Sequence, residues 1–162
     1  MIIKNKKLMN KVLKLRSKNK KVVFTNGCFD ILHLGHKTYL NQSKALGDFL
    51  IVAINSDESV KLLKGDDRPI NNQELRSKNL MNLECVDEVV VFSEETPLKL
   101  IEFLLPDILT KGGDYNHINI VGSNIVEKNG GKVVLLPYLK GYSTTTIINN
   151  RRKGLTGETS IG

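Results

Sequence analysis

The sequence predicts an α/β fold: a doubly wound parallel sheet of about five strands with helices on both faces. Three observations carry that prediction. Short runs of β-branched and apolar residues recur along the 162 residues, each followed by a segment with apolar residues at helical spacing. The runs V-V-F at 22–24 and F-L-I-V-A-I at 49–54 are apolar at every position, the pattern of strands covered from both sides. Polar or glycine-rich breaks follow these runs, and open α/β sheets bind ligands beyond the C-terminal ends of their strands.

Taken in order, residues 7–19 form a first helix, with Leu8, Val12 and Leu15 inside and lysines over the rest. A strand opens at Val22 and is expected to end at Phe24, where Thr25, Asn26 and Gly27 interrupt the run. After a loop, a helix starts at Gly35, places Tyr39, Leu40, Ala45 and Leu46 at roughly helical spacing, and stops at Gly47. Residues 49–54 are the second strand, closed by a polar turn at Asn55, Ser56 and Asp57. Residues 61–70, K-L-L-K-G-D-D-R-P-I, read as a basic, turn-rich connection. A helix over 75–83 leads to a third strand over 86–92, and Thr96 as N-cap with Pro97 at the first helical position opens a helix through Leu105. A fourth strand at 107–110 ends in Lys111-Gly112-Gly113-Asp114; a helix over 120–128 and a strand over 132–136 complete the alternation. Such alternation implies right-handed crossovers and a Rossmann-like sheet. The expected organisation is a basic N-terminal helix (1–20) packed on one domain (21–150), followed by a C-terminal tail (151–162) expected to be partly mobile.

Bulk properties exclude several functional classes. No stretch of about twenty apolar residues occurs, so no membrane span is expected, and the N-terminus M-I-I-K-N-K-K lacks the apolar core of a secretion signal; a cytoplasmic location follows as the expectation. Two cysteines, Cys28 and Cys85, are too few for a disulfide framework or a zinc site. Cys85 is expected in the core, and Cys28 is either a thiol activated near a helix N-terminus or simply a small side chain. The net charge of +7 comes largely from nine basic residues between Lys4 and Lys21. Spread around an amphipathic helix without interleaved aromatics, they describe a solvated face better than a nucleic-acid groove. Attraction of anionic small substrates is what remains of the charge argument.

The chemistry concentrates between Val22 and His36. His33 and His36 stand three residues apart where a strand hands over to a helix, and helix N-termini present unpaired N–H groups and partial positive charge to anions. Two imidazoles there can donate N–H groups to one phosphate, with Gly35 allowing close approach. The same pair is compatible with ordinary loop residues, or with two ligands of a structural metal lacking its other donors. Asp30 suits hydroxyl binding or turn capping. Lys61 and Lys64 lie on an exposed connection or reach a phosphate; Arg76 clamps a phosphate bidentately or sits on a helix surface. Lys111, Gly112 and Asp114 follow a strand, where glycines admit a nucleotide and an aspartate meets a sugar hydroxyl or Mg²⁺. Gly141-Tyr142-Ser143-Thr144-Thr145-Thr146 is an N-capping segment or a phosphate grip.

The run G-C-F-D-I-L-H-L-G-H at 27–36 resembles the signature of the cytidylyltransferase-like nucleotidyltransferases, the HxGH type. K-G-x-x-R-P-I at 64–70, V-D-E-V-V-V-F at 86–92, P-D-I-L-T-K-G-G-D-Y at 106–115 and G-Y-S-T-T-T-I-I at 141–148 extend the likeness over about residues 20 to 150. They are similar to one branch, the sugar-phosphate adenylyltransferases acting on heptose 1-phosphate. The resemblance implies that His33 and His36 stabilise a pentacovalent transition state and that Lys64, with Lys61 second, neutralises phosphate charge. It places Thr25, Asn26, Gly27, Cys28, Phe29, Gly35, Lys111, Gly112 and Asp114 along the nucleotide, with Ser143, Thr144 and Thr145 on its terminal phosphates. Asp30, Asn55, Arg68 and Arg76 fall to the acceptor. The basic residue some relatives carry beside the Ser/Thr element is not matched, and Arg151 and Arg152 are not assigned its role. ATP and a sugar 1-phosphate are the implied substrates, with Mg²⁺ bound mainly through phosphates, no metal cluster of protein ligands, a separate upstream sugar kinase, and a homodimer. No nucleic-acid or membrane partner is expected. The alternatives are a cytidylyltransferase acting on glycerol 3-phosphate or a similar acceptor, and a non-enzymatic nucleotide- or RNA-binding protein.

Overall fold

The computed structural model describes residues 5–113 and 120–137. Its elements are α1 (Lys6–Ser17), β1 (Val22–Gly27), α2 (Leu34–Ala45), β2 (Phe49–Asn55), α3 (Asp57–Lys64), α4 (Gln73–Met81), β3 (Glu88–Phe92), α5 (Leu98–Leu104), β4 (Ile108–Gly112), α6 (Ser123–Lys128) and β5 (Lys132–Leu136). The five strands pair in the order β3-β2-β1-β4-β5, every pair parallel. The chain runs outward from β1 to β3, then returns to the other side of β1 to add β4 and β5. The order therefore reverses between β1 and β4, which sets the crevice at their C-terminal ends.

Period-two alternation assigns the strand residues to two cores. On one face Val22, Phe24, Ile51, Ala53, Val90, Phe92 and Leu109 meet Leu8 and Val12 of α1, Leu100, Ile101 and Leu104 of α5, and Val126 of α6. On the other, Val23, Leu50, Val52 and Ile54 meet Tyr39 and Leu40 of α2 and Leu80 of α4. Every residue of β2 is buried, so its continuous apolar run has a direct structural cause. The α1 lysines point outward while Leu8 and Val12 are inside. At the opposite end from the crevice, Asp48, Asp87 and Asp107 accept the backbone N–H groups of Lys21, Leu50 and Val22 at 2.8 Å, closing the starts of the strands.

Several elements differ from the sequence reading. β1 does not stop at Phe24: Thr25, Asn26 and Gly27 continue its ladder against Val52, Ala53 and Ile54, pairing that outweighs the weak strand propensity of Asn26 and Gly27. The stretch read as a polar turn and basic loop contains α3. Ser56 caps it by accepting from Ser59 N (3.2 Å), Asp57 and Glu58 occupy its first turn, and Gly65, at φ 104°, ends it. Likewise α4 starts at Gln73, two residues before the expected point, because Asn72 caps it through Leu75 N at 2.9 Å. Pro97 holds the cap position of α5 and not its first helical one, with Thr96 Oγ1 accepting from Leu98 N at 3.4 Å. β4 extends through Lys111 and Gly112, which pair with Leu135 and Leu136. Cys85 is buried, and burial pushes its thiol pKa up.

Candidate active site

The site is built on the segment leaving β1. Gly27 is required by its neighbour: a Cβ there would lie 2.8 Å from Phe29 Cε2. Phe29 turns through the left-handed region (φ 48°) and buries its ring, which meets the His36 ring at 5.1 Å between centroids. The chain then reaches His33, the N-cap of α2, whose Nδ1 accepts the backbone N–H of His36 at 3.3 Å. That bond puts the proton of a neutral His33 ring on Nε2. The two imidazoles stack at 3.8 Å with 18° between their planes. Gly35 between them is buried.

Two parallel imidazoles this close resist carrying two charges. Burial lowers the His33 pKa. His36 is lowered to about 3, first by burial, then by His33 and, more weakly, by Lys64, while a hydrogen bond with the Ile31 backbone pulls the other way. At neutral pH the pair is uncharged and each ring carries a single N–H, that of His33 on Nε2. Lys64 is exposed at the end of α3, near enough for its charge to act weakly on His36.

Around them the acidic and basic groups are interlocked. Asp30, 1% exposed, accepts from Arg68 Nε (3.1 Å), Ile70 N (2.8 Å) and Asn71 N (2.8 Å), while Asn71 Nδ2 donates to its carbonyl at 2.6 Å. Arg76 is completely buried and donates to Asn71 O (2.9 Å), Cys28 O (2.9 Å), Asn55 O (2.8 Å) and Asp57 Oδ1 (2.8 Å). It is therefore neither a phosphate clamp nor a helix-surface residue: it ties together the segments leaving β1 and β2 and the loop before α4. Asn55 donates to Ser59 Oγ at 3.0 Å and accepts the Cys28 thiol at 3.6 Å. Thr25 also differs from its expected nucleotide contact, because its hydroxyl is fully buried between Tyr39 Oη (2.6 Å) and Thr110 O (3.2 Å). Tyr39 and Ser43 bind Thr110 Oγ1 at 3.0 and 2.9 Å, so the network joins α2 to β4 beneath the crevice.

On the β4 side, burial lowers the Lys111 pKa, partly offset by the neighbouring Cys28 sulfur, and Gly112 is buried in the strand. Asn26 is half-buried at the end of β1. Asp114, Ser143, Thr144 and Thr145 lie outside the described residues. Among the described residues no group of three or more His, Cys, Asp or Glu side chains is arranged to hold a metal ion, and no helix is long and apolar enough to cross a membrane. Asn71 was not singled out from the sequence, and Asp57 was read only as part of a polar turn. Asp57 carried the acidic first-turn signal of a helix start, whereas nothing local marks Asn71, whose role depends on Asp30 forty-one residues away.

Comparison with known proteins gives a consistent picture. The cytidylyltransferase-like family model matches residues 24–150. The bifunctional protein HldE of a Nitratiruptor species is 55% identical over 138 residues, covering 85% of this chain and 29% of that protein. The bifunctional protein HldE of Hydrogenovibrio crunogenus is 56% identical over 134 residues, covering 83% and 28% respectively. The chain thus spans less than a third of the length of these curated relatives. Among solved structures, the lipopolysaccharide core biosynthesis protein from Thermoplasma volcanium superposes with a TM-score of 0.61 at 32% identity, covering 75% of this chain and 98% of that one.

Proposed function

Since the chain belongs to the cytidylyltransferase-like family, we propose that it transfers AMP from ATP to D-glycero-β-D-manno-heptose 1-phosphate, giving ADP-heptose and pyrophosphate. The observation that carries this reading is the stacked, neutral His33–His36 pair at the start of α2, beside the point where strand order reverses. The HldE relatives and the lipopolysaccharide core biosynthesis protein support the branch and its role in surface carbohydrate synthesis.

The reaction is an in-line displacement: an oxygen of the sugar 1-phosphate attacks the α-phosphorus of ATP, and the bond to the β-phosphate oxygen breaks. A phosphate monoester is already ionised near pH 7, so no strong base is needed, and catalysis rests on positioning and charge stabilisation. A neutral imidazole keeps one N–H, which can be donated to an equatorial or leaving oxygen. Lys64 adds positive charge near His36. Asn26, Gly27, Cys28, Phe29 and Gly35 form the nucleotide cradle with Lys111 and Gly112. Family resemblance assigns the terminal phosphates to Ser143, Thr144 and Thr145 and a sugar hydroxyl to Asp114. Mg²⁺ bound with the nucleotide would supply positive charge to its phosphates; Asp30 and Asp57 are engaged by arginines and would not hold it. The sugar 1-phosphate is the product of an upstream sugar kinase, and the working unit is a homodimer in a cytoplasmic location.

Mixing the protein with Mg²⁺, the heptose 1-phosphate and either ATP or CTP tests this reading. Pyrophosphate release with ATP is expected; release with CTP alone would retain the chemistry and overturn the choice of base. Silence with both would contradict the acceptor.

A further inference from the structure

We propose that Arg68 recognises the phosphate group of the acceptor and that Asp30 is a positioning residue that acts on the acceptor through Arg68. This rests on the reading above and divides the acceptor side of the crevice into a contacting residue and its support. Arg68 is 7% exposed, and its guanidinium is held through Nε, which donates to Asp30, while Nη2 is buried without a hydrogen-bond partner. A buried guanidinium N–H left open is costly, and a ligand oxygen that meets it recovers the cost. The anchor is itself rigid. Asp30 spends its carboxylate on Arg68 and on two backbone N–H groups, and Asn71, which supplies one of them, passes its carbonyl to the fully buried Arg76. Arg76 in turn is fixed on Cys28 O, Asn55 O and Asp57. A chain of hydrogen bonds therefore runs from Asp57 at the start of α3 through Arg76, Asn71 and Asp30 to Arg68.

Topology points to the acceptor and not the nucleotide. β2 and β4 lie on opposite sides of β1. Lys111 and Gly112 approach the segment leaving β1 from the β4 side. The 65–71 loop, pinned to Asp30 and linked through Arg76 to Asn55, approaches from the β2 side. In-line transfer requires the attacking and leaving oxygens to lie on opposite sides of the reacting phosphorus, so the two substrates enter from opposite flanks of the histidines. A guanidinium held through Nε with Nη2 unpartnered suits a phosphate monoester, whose oxygens accept charge-assisted hydrogen bonds. Lysine keeps the charge and loses the fork.

The test is steady-state pyrophosphate release by the wild-type chain, Arg68→Lys, Asp30→Asn and the double variant. The heptose 1-phosphate is varied at saturating ATP, and ATP is varied at saturating acceptor. Asp30→Asn keeps an acceptor oxygen for only one of Ile70 N and Asn71 N, which bond different carboxylate oxygens, so circular dichroism verifies folding; Arg68→Lys leaves those bonds untouched, so it decides the matter if Asp30→Asn fails to fold. Each single variant is expected to raise the acceptor KM at least tenfold with the ATP KM within twofold, and the double variant to be no worse than Arg68→Lys. An unmoved acceptor KM in Arg68→Lys, or a rise in the ATP KM instead, would overturn the recognition role. Multiplying effects in the double variant would overturn the positioning role. A wild-type chain inactive with this acceptor would overturn the functional reading first, a result distinct from active wild type with insensitive variants.

Discussion

His33 and His36 gain their meaning at the residue scale from being neutral, close and parallel, 3.8 Å apart at a helix start. Replacing His36 with Ala is expected to lower turnover on the order of a hundredfold or more, the usual scale for losing one transition-state donor. An unchanged turnover in a folded variant would remove His36 from the chemistry. The depressed pKa has a second consequence. Unfolded, His36 takes a proton near pH 6.5; folded, it resists protonation down to about 3. The unfolded chain therefore binds more protons in that window, and this contribution to stability is full above pH 6.5 and is lost progressively toward pH 3. Chemical denaturation at about pH 7 and about pH 4.5 should show the wild type losing more stability on acidification than His36→Gln. Equal losses would contradict the burial argument. At this scale the placing of His33 and His36 together at a helix start was legible from their spacing. The fates of Thr25 and Arg76 were not, because their partners, Thr110 and Asn55 among them, lie up to 85 positions away in the chain.

Among the elements, α3 was the least legible. The sequence signals were present: Ser56, two acids in the first turn and Gly65 at the end. They were outweighed by a short, polar, basic stretch whose apolar residues Leu62 and Leu63 face outward, 88% and 51% exposed, so no inward stripe declared a helix. Longer apolar patterns such as β2 and β5 were read within a residue, because burial on both sheet faces or a clear β-branched run leaves little alternative. Since α3 carries Lys64 at one end and the Arg76 partner Asp57 at the other, its cap should matter twice. Ser56→Ala is expected to cost about 1 kcal/mol of stability and to lower turnover more than a comparable cap deletion at Asn72 of α4. A variant equally active with the same loss of stability would separate α3 from the site.

For the whole molecule, strand and helix alternation was enough to predict a parallel sheet covered on both faces. The order β3-β2-β1-β4-β5 was not readable, because pairing β1 with β4 brings together distant stretches of chain, Val23 beside Ile108 and Phe24 beside Leu109. That order is what gives the site its form: it sets the histidine segment at the centre, with Lys111 on one flank and Arg68 on the other. With the proposed substrates on opposite flanks, the expected reaction is direct displacement with no adenylylated enzyme. The decisive measurement uses ATP carrying sulfur in one configuration at the α-phosphorus, with the heptose 1-phosphate as acceptor, and reads the product configuration by phosphorus nuclear magnetic resonance. A sugar nucleotide with inverted configuration is the predicted result. Retention would contradict it, since two successive displacements would require a covalent adenylyl intermediate on a side chain such as Cys28 or a histidine.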